Sequence, residues 1–226
     1  MATVSRPQGQ RPPPGGQRER DVAVLVVIFT VDEGRLRVLL IRRSAEPYKD
    51  AWSLPGGLLA AAESLDEAAV RKLEDETGLT DVFLEQLYTF DDLDGRGSVA
   101  AAYFALVDTS RAQLAQRRAW PPAWHTIEAL PELAFENRRV IDYALRRLRA
   151  KLEYSNVAYS LLPAEFTLSQ LQRVYEAILG RGLDKRNFRK RMLSLGLVEA
   201  TGRTATEGRH RPAQLYAFRE RKPIVF

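Results

Sequence analysis

Cysteine is absent from this 226-residue chain, and histidine occurs only twice, as His125 and His210. No disulfide and no cysteine-based zinc site can form, and two imidazoles are too few for a histidine-rich metal site. The lack of thiols is consistent with a reducing cytoplasm. Long apolar runs are missing too. The strongest, Val22 to Val31, is far too short to cross a bilayer and ends in Asp32-Glu33-Gly34-Arg35. Residues 1–20 have no apolar segment at all and are rich in Pro, Gln, Gly and Arg. They read as a disordered basic tail rather than a signal peptide.

What remains is the composition of a soluble globular protein, 45% hydrophobic and 28% charged, long enough for one medium domain and a small one. The charge is unevenly shared. Asp21 to Ala150 holds 16 Lys+Arg against 21 Asp+Glu, whereas Lys151 to Phe226 holds 14 against 7. An acidic domain is therefore followed by a basic one, which points to a nucleic-acid partner for the second. The expected boundaries are a tail over 1–20, a first domain over 21–155 and a second over 156–226. The segment Asn156 to Pro163 is expected to be the linker.

The stretch Gly56 to Leu79 organises the first domain. It opens with Gly56-Gly57 and continues into one short helix. Ser64 suits the N-cap, Glu67 completes a capping box, and Gly78 supplies the left-handed stop. Helical periodicity puts Ala69, Val70 and Leu73 on one face, with Lys72, Asp75 and Glu76 on the adjoining arc beside Arg71. Carboxylates on one helix face, behind a glycine turn that a ligand can approach closely, suit a divalent metal and a diphosphate.

This spacing resembles the Nudix box: Gly57, Glu63, Arg71, Leu73, Glu76, Gly78 and Leu79 fall on the pattern without a gap. The lead-in Trp52-Ser-Leu-Pro55-Gly-Gly57 is similar as well. Two positions depart. Lys72 stands where the family has its first glutamate after the arginine, and Asp75 replaces the next metal-binding glutamate. Nudix hydrolases use that cluster to hold Mg²⁺ and activate water. Asp75 keeps the charge with a shorter reach, whereas Lys72 brings an ammonium to the place of a cation and can pair with Glu76 one turn later. Metal-assisted phosphoryl chemistry needs open coordination positions, so hydrolysis is expected to be impaired while diphosphate binding survives. If any metal is held, Asp75 and Glu76 are the candidates, and no cofactor is required.

The surroundings read as an α/β domain. Val22–Val31 and Leu36–Arg42 form a hairpin, Val82–Phe90 and Val99–Val107 are further strands, and a short strand follows Pro121-Pro122 and Trp124. Asn137 to about Tyr154 is a long helix with Val140, Ile141, Ala144, Leu145 and Leu148 as its apolar stripe. The Nudix resemblance implies an α/β/α sandwich and places a basic residue near the ligand's phosphates. Arg42, Arg43, Gly56, Gly57, Lys72 and Glu76 are the candidate ligand-binding residues. Leu130-Pro-Glu-Leu-Ala-Phe135 is similar to Nudix proteins acting on ADP-ribose.

The second domain begins with a capping box, Thr167-Leu-Ser-Gln170, and a helix to Leu179 stopped by Gly180. After a short turn, Asp184 caps a second helix that buries Phe188, Met192 and Leu195. Its other side presents Lys185, Arg186, Arg189 and Lys190. Two strands follow, joined by a basic loop containing Arg209, His210 and Arg211. Helix, turn, basic helix and wing is the winged helix-turn-helix arrangement, which sets the second helix in the major groove. Lys185, Arg186, Asn187, Arg189, Lys190, Arg209 and Arg211 are the candidate DNA contacts, with Arg186 and Arg189 assigned to base edges.

A Nudix-like domain with a damaged box, fused to a winged helix containing Leu183-Asp-Lys-Arg-Asn187-Phe-Arg-Lys190, resembles the Nudix-related transcriptional regulators of NAD metabolism (NrtR). The resemblance spans about residues 20 to 226. It implies a homodimeric, cytoplasmic bacterial repressor of NAD biosynthesis or salvage genes that binds a palindromic double-stranded operator, with ADP-ribose or NAD as effector. The rival reading is an active Mg²⁺-dependent ADP-ribose pyrophosphatase with an accessory basic domain. An RNA-binding protein is a third, disfavoured because a wing and paired short helices suit duplex DNA.

Overall fold

The computed structural model describes residues 21–79, 82–95, 97–108, 110, 112, 114, 121–205 and 212–226. The N-terminal tail and Arg209, His210 and Arg211 lie outside this set. The expected hairpin is present as β1 (Val22–Asp32) and β2 (Arg35–Arg42), paired antiparallel. Next come β3 (Trp52–Ser53), β4 (Gly56–Leu58) and helix α1 (Leu65–Thr77). Strands β5 (Phe83–Asp91), β6 (Val99–Leu106) and β7 (Ala123–Thr126) complete a seven-stranded sheet. Its path is β3-β2-β1-β6-β5, with β4 paired to β1 and β7 to β2, and β1 runs parallel to β6. Trp124 belongs to β7 itself rather than to the connection before it.

The sheet is covered on both faces, which explains why β1 and β6 read as unbroken apolar runs rather than alternating ones. Val24, Val26 and Ile28 pack with Ala68, Ala69 and Leu73 of α1, together with Ala101, Tyr103 and Ala105. Val27, Phe29, Ala102 and Phe104 face the opposite way. There they meet Val140, Ile141, Ala144 and Leu148 of α2 (Asn137–Tyr154). The result is the expected α/β/α sandwich. One detail of α1 differs: Val70 is 39% exposed, and Ala68 takes its place against the sheet. The capping signals bracket a helix whose buried arc turns towards Ala68, Leu73 and Thr77, leaving Val70 outside.

Beyond α2 the expected linker is not one. Val157–Leu161 forms a 3₁₀ turn whose five residues are all buried. They join the core on the α2 face of the sheet, and that core continues into the C-terminal module without a break. The module comprises β8 (Phe166–Thr167), α3 (Leu168–Leu179), α4 (Lys185–Ser194), β9 (Val198–Ala205) and β10 (Ala213–Phe218). Its sheet runs β8-β10-β9. Strand β9 continues to Ala205, and Gly202 sits within it at φ 78°. The α/β/α sandwich with a C-terminal winged helix is the fold. Among the described residues no helix is long and apolar enough to cross a membrane.

The C-terminal segment straps back over the junction. The buried side chain of Asn156 donates to the carbonyls of Glu220 and Lys222 and accepts from the Ile224 amide. Arg221 donates to the carbonyls of Tyr159, Leu162 and Pro163. Replacing Asn156 by Ala strips partners from three backbone groups at once. The expected loss is about 1–3 kcal/mol, read as a lower urea midpoint with an unchanged slope; an unaltered midpoint would show that the strap contributes nothing.

Candidate functional site

The glycine turn is held in place by backbone geometry. Strand β4 lies against β1, with Leu25 opposite Gly56 and Val24 opposite Gly57. A Cβ on Gly56 would sit 2.5 Å from the Val24 carbonyl oxygen, so only glycine permits this approach. Its floor is fixed from the other side by α2. Asn137, 1% exposed, accepts the Leu54 amide hydrogen at 2.8 Å, and the Ala134 amide donates to the Trp52 carbonyl at 2.7 Å. Sequence reasoning read Asn137 only as a helix start. The segment Leu130–Phe135 was the available signal, since it docks on the Trp52–Pro55 lead-in.

A cleft of about 880 Å³ opens here, within the range of small-molecule sites. All six expected ligand-binding residues, Arg42, Arg43, Gly56, Gly57, Lys72 and Glu76, line it. Each arginine is held. Arg42 donates to the Asp50 carbonyl and lies over the Trp52 ring at 4.6 Å. Arg43 donates to the Pro47 carbonyl and lies over Phe135, also at 4.6 Å. Burial lowers the Arg43 pKa, and the Glu46 charge opposes that shift. The Lys72 ammonium and its neighbouring methylene lie 3.5 Å from where a Gly57 Cβ would be. The glycine turn therefore meets a lysine stem. Tyr48 is half exposed and meets the Phe135 ring edge-on.

The box helix divides its acids. Glu63 takes two short bonds from Arg71, 2.6 and 2.8 Å, and Arg71 also faces Asp75 at 3.9 Å. The Arg71 hydrogen bond holds the Glu63 carboxyl below its ordinary pKa, and the same bond raises that of Arg71. Glu63, Arg71 and Asp75 do not line the cleft. Glu76 does, and is buried. Among the described residues no three of His, Cys, Asp and Glu gather as a metal site requires. With an ammonium beside Glu76's cleft and Asp75 turned to Arg71, the donor set does not fit a divalent cation.

One edge of the cleft has a titratable neighbour. His125 on β7 stacks edgewise on Trp52, with ring centroids 4.5 Å apart. Its Nε2 is buried and has no hydrogen-bond partner among the described residues. Burial, then the Arg42 charge, lowers its pKa below the ordinary 6.5.

In the C-terminal module, Thr167 caps α3 with Gln170, and Gly180 ends it at φ 70°. Asp184 caps α4 by accepting the Asn187 amide hydrogen at 2.8 Å. Burying Phe188 and Met192 fixes the rotation of α4. Lys185, Arg186, Asn187, Arg189 and Lys190 are consequently all exposed. Arg189 donates to Ser169 of α3 at 3.4 Å, and Arg191 donates to the Glu153 carbonyl of α2 at 3.3 Å. Arg203 of β9 pairs with Glu165. The remaining two expected contacts, Arg209 and Arg211, fall outside the described residues.

Fold and site together define a Nudix-fold protein with an altered box and an appended winged helix. The NUDIX domain model matches residues 19–144, and that of the NrtR DNA-binding winged helix domain matches 158–218. The chain belongs to the Nudix-related NrtR family. It is 41% identical over 204 residues to the ADPR responsive transcriptional repressor NtrR of Acinetobacter baylyi, covering 87% of this chain and 81% of that one. Shewanella oneidensis NrtR, solved with a 27mer DNA, superposes with a TM-score of 0.77 at 35% identity, over 87% of this chain and 93% of that chain. The NUDIX domain of the same protein, solved with ADP ribose, gives 0.51 at 33% identity, over 58% and 90%.

The His125 environment has a pH consequence. Its folded pKa is depressed, so its contribution to stability is complete above pH 6.5 and is lost as pH falls below that value. Denaturation from pH 8 to 5 should show the parent losing stability below 6.5 relative to His125→Phe. Parallel profiles would remove His125 as the cause.

Proposed function

We propose that this chain is a transcriptional repressor whose Nudix domain senses a nucleotide effector, ADP-ribose or NAD, and adjusts how its winged helix grips operator DNA. It acts as a cytoplasmic homodimer on a palindromic operator governing NAD biosynthesis or salvage genes, a two-fold protein matching a two-fold site. The observation that carries the reading is the rotation of α4. Phe188 and Met192 are buried, leaving five cations (Lys185, Arg186, Arg189, Lys190 and Arg191) and Asn187 exposed on the second helix of a winged helix. The similarity to an ADPR responsive repressor over 87% of this chain supports the pairing of that helix with the cleft.

In the cleft, Arg42, Arg43 and Lys72 supply positive charge for a diphosphate, and the Gly56-Gly57 turn admits it close to the backbone. Charge without a metal-binding carboxylate set suits retention of the diphosphate rather than its hydrolysis. The effector changes operator affinity to the extent that it prefers one arrangement of the recognition helices over another.

Capture of sheared genomic DNA by the purified protein, followed by sequencing, tests the proposal. A few palindromes near NAD genes should be enriched, and ADP-ribose should alter the yield. No enrichment in either condition would overturn the repressor reading. The double variant Arg186→Ala with Arg189→Ala should lose sequence selectivity while keeping its circular dichroism spectrum; selectivity that survives would reassign the base contacts. On the box helix, Lys72→Glu with Asp75→Glu should introduce Mg²⁺-dependent cleavage of ADP-ribose that the parent lacks. Efficient release of AMP by the parent itself would restore the pyrophosphatase reading.

A further inference from the structure

The turn between α3 and α4 is fastened by two side chains of α3. Leu183, the residue before the Asp184 cap, donates its amide hydrogen to Glu176 Oε1 at 2.8 Å, and its carbonyl accepts from Gln172 Nε2 at 2.9 Å. Gln172 Nε2 also donates to Glu176 Oε1 at 2.9 Å, one helical turn along α3. Both backbone groups of Leu183 are thus satisfied by α3, as a neighbouring strand would satisfy them. The Gln172 bond, then the Leu183 bond, holds the Glu176 carboxyl below its ordinary pKa. Leu183 leads straight into Asp184, whose carboxylate accepts the Asn187 amide hydrogen in the first turn of α4.

Helix α2 is tied to the same turn. The half-buried Arg149 donates from Nε to the Ile178 carbonyl at 2.8 Å, and its Nη2 lies 3.3 Å from where a Gly180 Cβ would be. Gly180, at φ 70°, donates its amide hydrogen to the Glu176 carbonyl at 2.8 Å. The guanidinium therefore sits on the last turn of α3, where unpaired carbonyls and the helix dipole favour a cation. About 18 Å of helix separates Arg149 from Asn137, which lines the cleft. Glu176 itself brings a negative charge to a helix that packs on the basic α4, with Tyr175 and Phe188 in ring contact at 5.2 Å. A carboxylate there opposes phosphate binding, so its contribution to DNA recognition is positional.

We infer that Gln172 and Glu176 are positioning residues for DNA recognition, fixing how α4 leaves the turn, and that Arg149 is the contact through which the cleft acts on that turn. This rests on the effector-responsive repressor reading and adds the route of its regulation. The order of contacts is Asn137 at the cleft, α2, Arg149, the end of α3, Glu176, Leu183 and the Asp184 cap.

The test uses the full chain, the palindromic duplex most enriched in the genomic capture, and a scrambled duplex of the same composition. Glu176→Ala should weaken the palindrome about tenfold, because the Leu183 amide loses its partner, and leave the scrambled duplex unchanged. Glu176→Gln keeps an acceptor oxygen and should return the palindrome to within about threefold of the parent. Should Glu176→Ala fail to fold, Gln172→Ala, which removes only the donor to the Leu183 carbonyl, reads the same loss of selectivity. Arg149→Ala should bind the palindrome and ADP-ribose each within about threefold of the parent, while the change that ADP-ribose makes to palindrome affinity shrinks at least about threefold. No loss of palindrome affinity in the α3 variants, or an equal loss on both duplexes, would overturn the positioning role. An undiminished ADP-ribose response in Arg149→Ala would overturn the route through Arg149. A parent that binds no palindrome, or no ADP-ribose, would overturn the repressor reading and this route with it, a result recognisable before any substitution is made.

Discussion

Everything functional in this chain hangs on the burial of one helix, α2. Its stripe of Val140, Ile141, Ala144 and Leu148 is fully covered by the sheet, which fixes the helix in position and rotation. The ends are then committed to different tasks. At the first turn Asn137 grips the Leu54 amide and sets the floor of the cleft. Further along, Arg149 donates to the Ile178 carbonyl of α3, and the Glu153 carbonyl accepts from Arg191 of α4. Eighteen helical residues span about 27 Å. A rigid rod of that length joins ligand cleft and recognition helix, and neither end can be repositioned without disturbing the same core.

The cleft shows how a small change of charge redirects a site. The helix and its glycine turn remain intact, with the capping box, the left-handed Gly78 and the close contact at Gly56 all in place. Those features form the walls. Lys72 changes the charge of that face, setting an ammonium against the Gly57 turn. The Glu63–Arg71 pair persists outside the cleft lining, where it ties the loop before α1 to the helix. Its carboxylate was never available to a metal while Arg71 holds both oxygens.

How much of this was legible in sequence follows from how local each signal is. Ser64, Gly78, Thr167, Gly180 and Asp184 act within one helical turn of themselves, and all five caps form as expected. The rotation of α4 was legible because Phe188 and Met192 leave one arc for the cations. Illegible features depend on residues far apart in the chain. The Asn137–Leu54 bond spans 83 positions. Asn156 to Pro163 looked like a linker because its eight residues lack periodicity, yet a 3₁₀ turn has too few residues to show any. Val70 failed for another reason. With a core of alanines on α1, the apolar face is only weakly marked, and tertiary packing chose Ala68 instead.

The buried junction bears directly on control. Had the two modules been joined by a free linker, effector binding would have no mechanical purchase on α4, and an operator could be gripped equally in either state. A single core running from the sheet through Val157, Leu161 and Phe166 to Phe188 removes that freedom. Packed interiors move between discrete arrangements rather than deforming smoothly. Allosteric coupling free energies are typically about 1–3 kcal/mol, worth roughly 5–150-fold in affinity. In the proposed homodimer, two-fold symmetry would carry such a shift to both recognition helices together. Groove spacing is fixed by DNA geometry, and for the proposed dimer that sets the demand: an effector would weaken binding only by favouring an arrangement in which the two α4 helices no longer fit successive grooves.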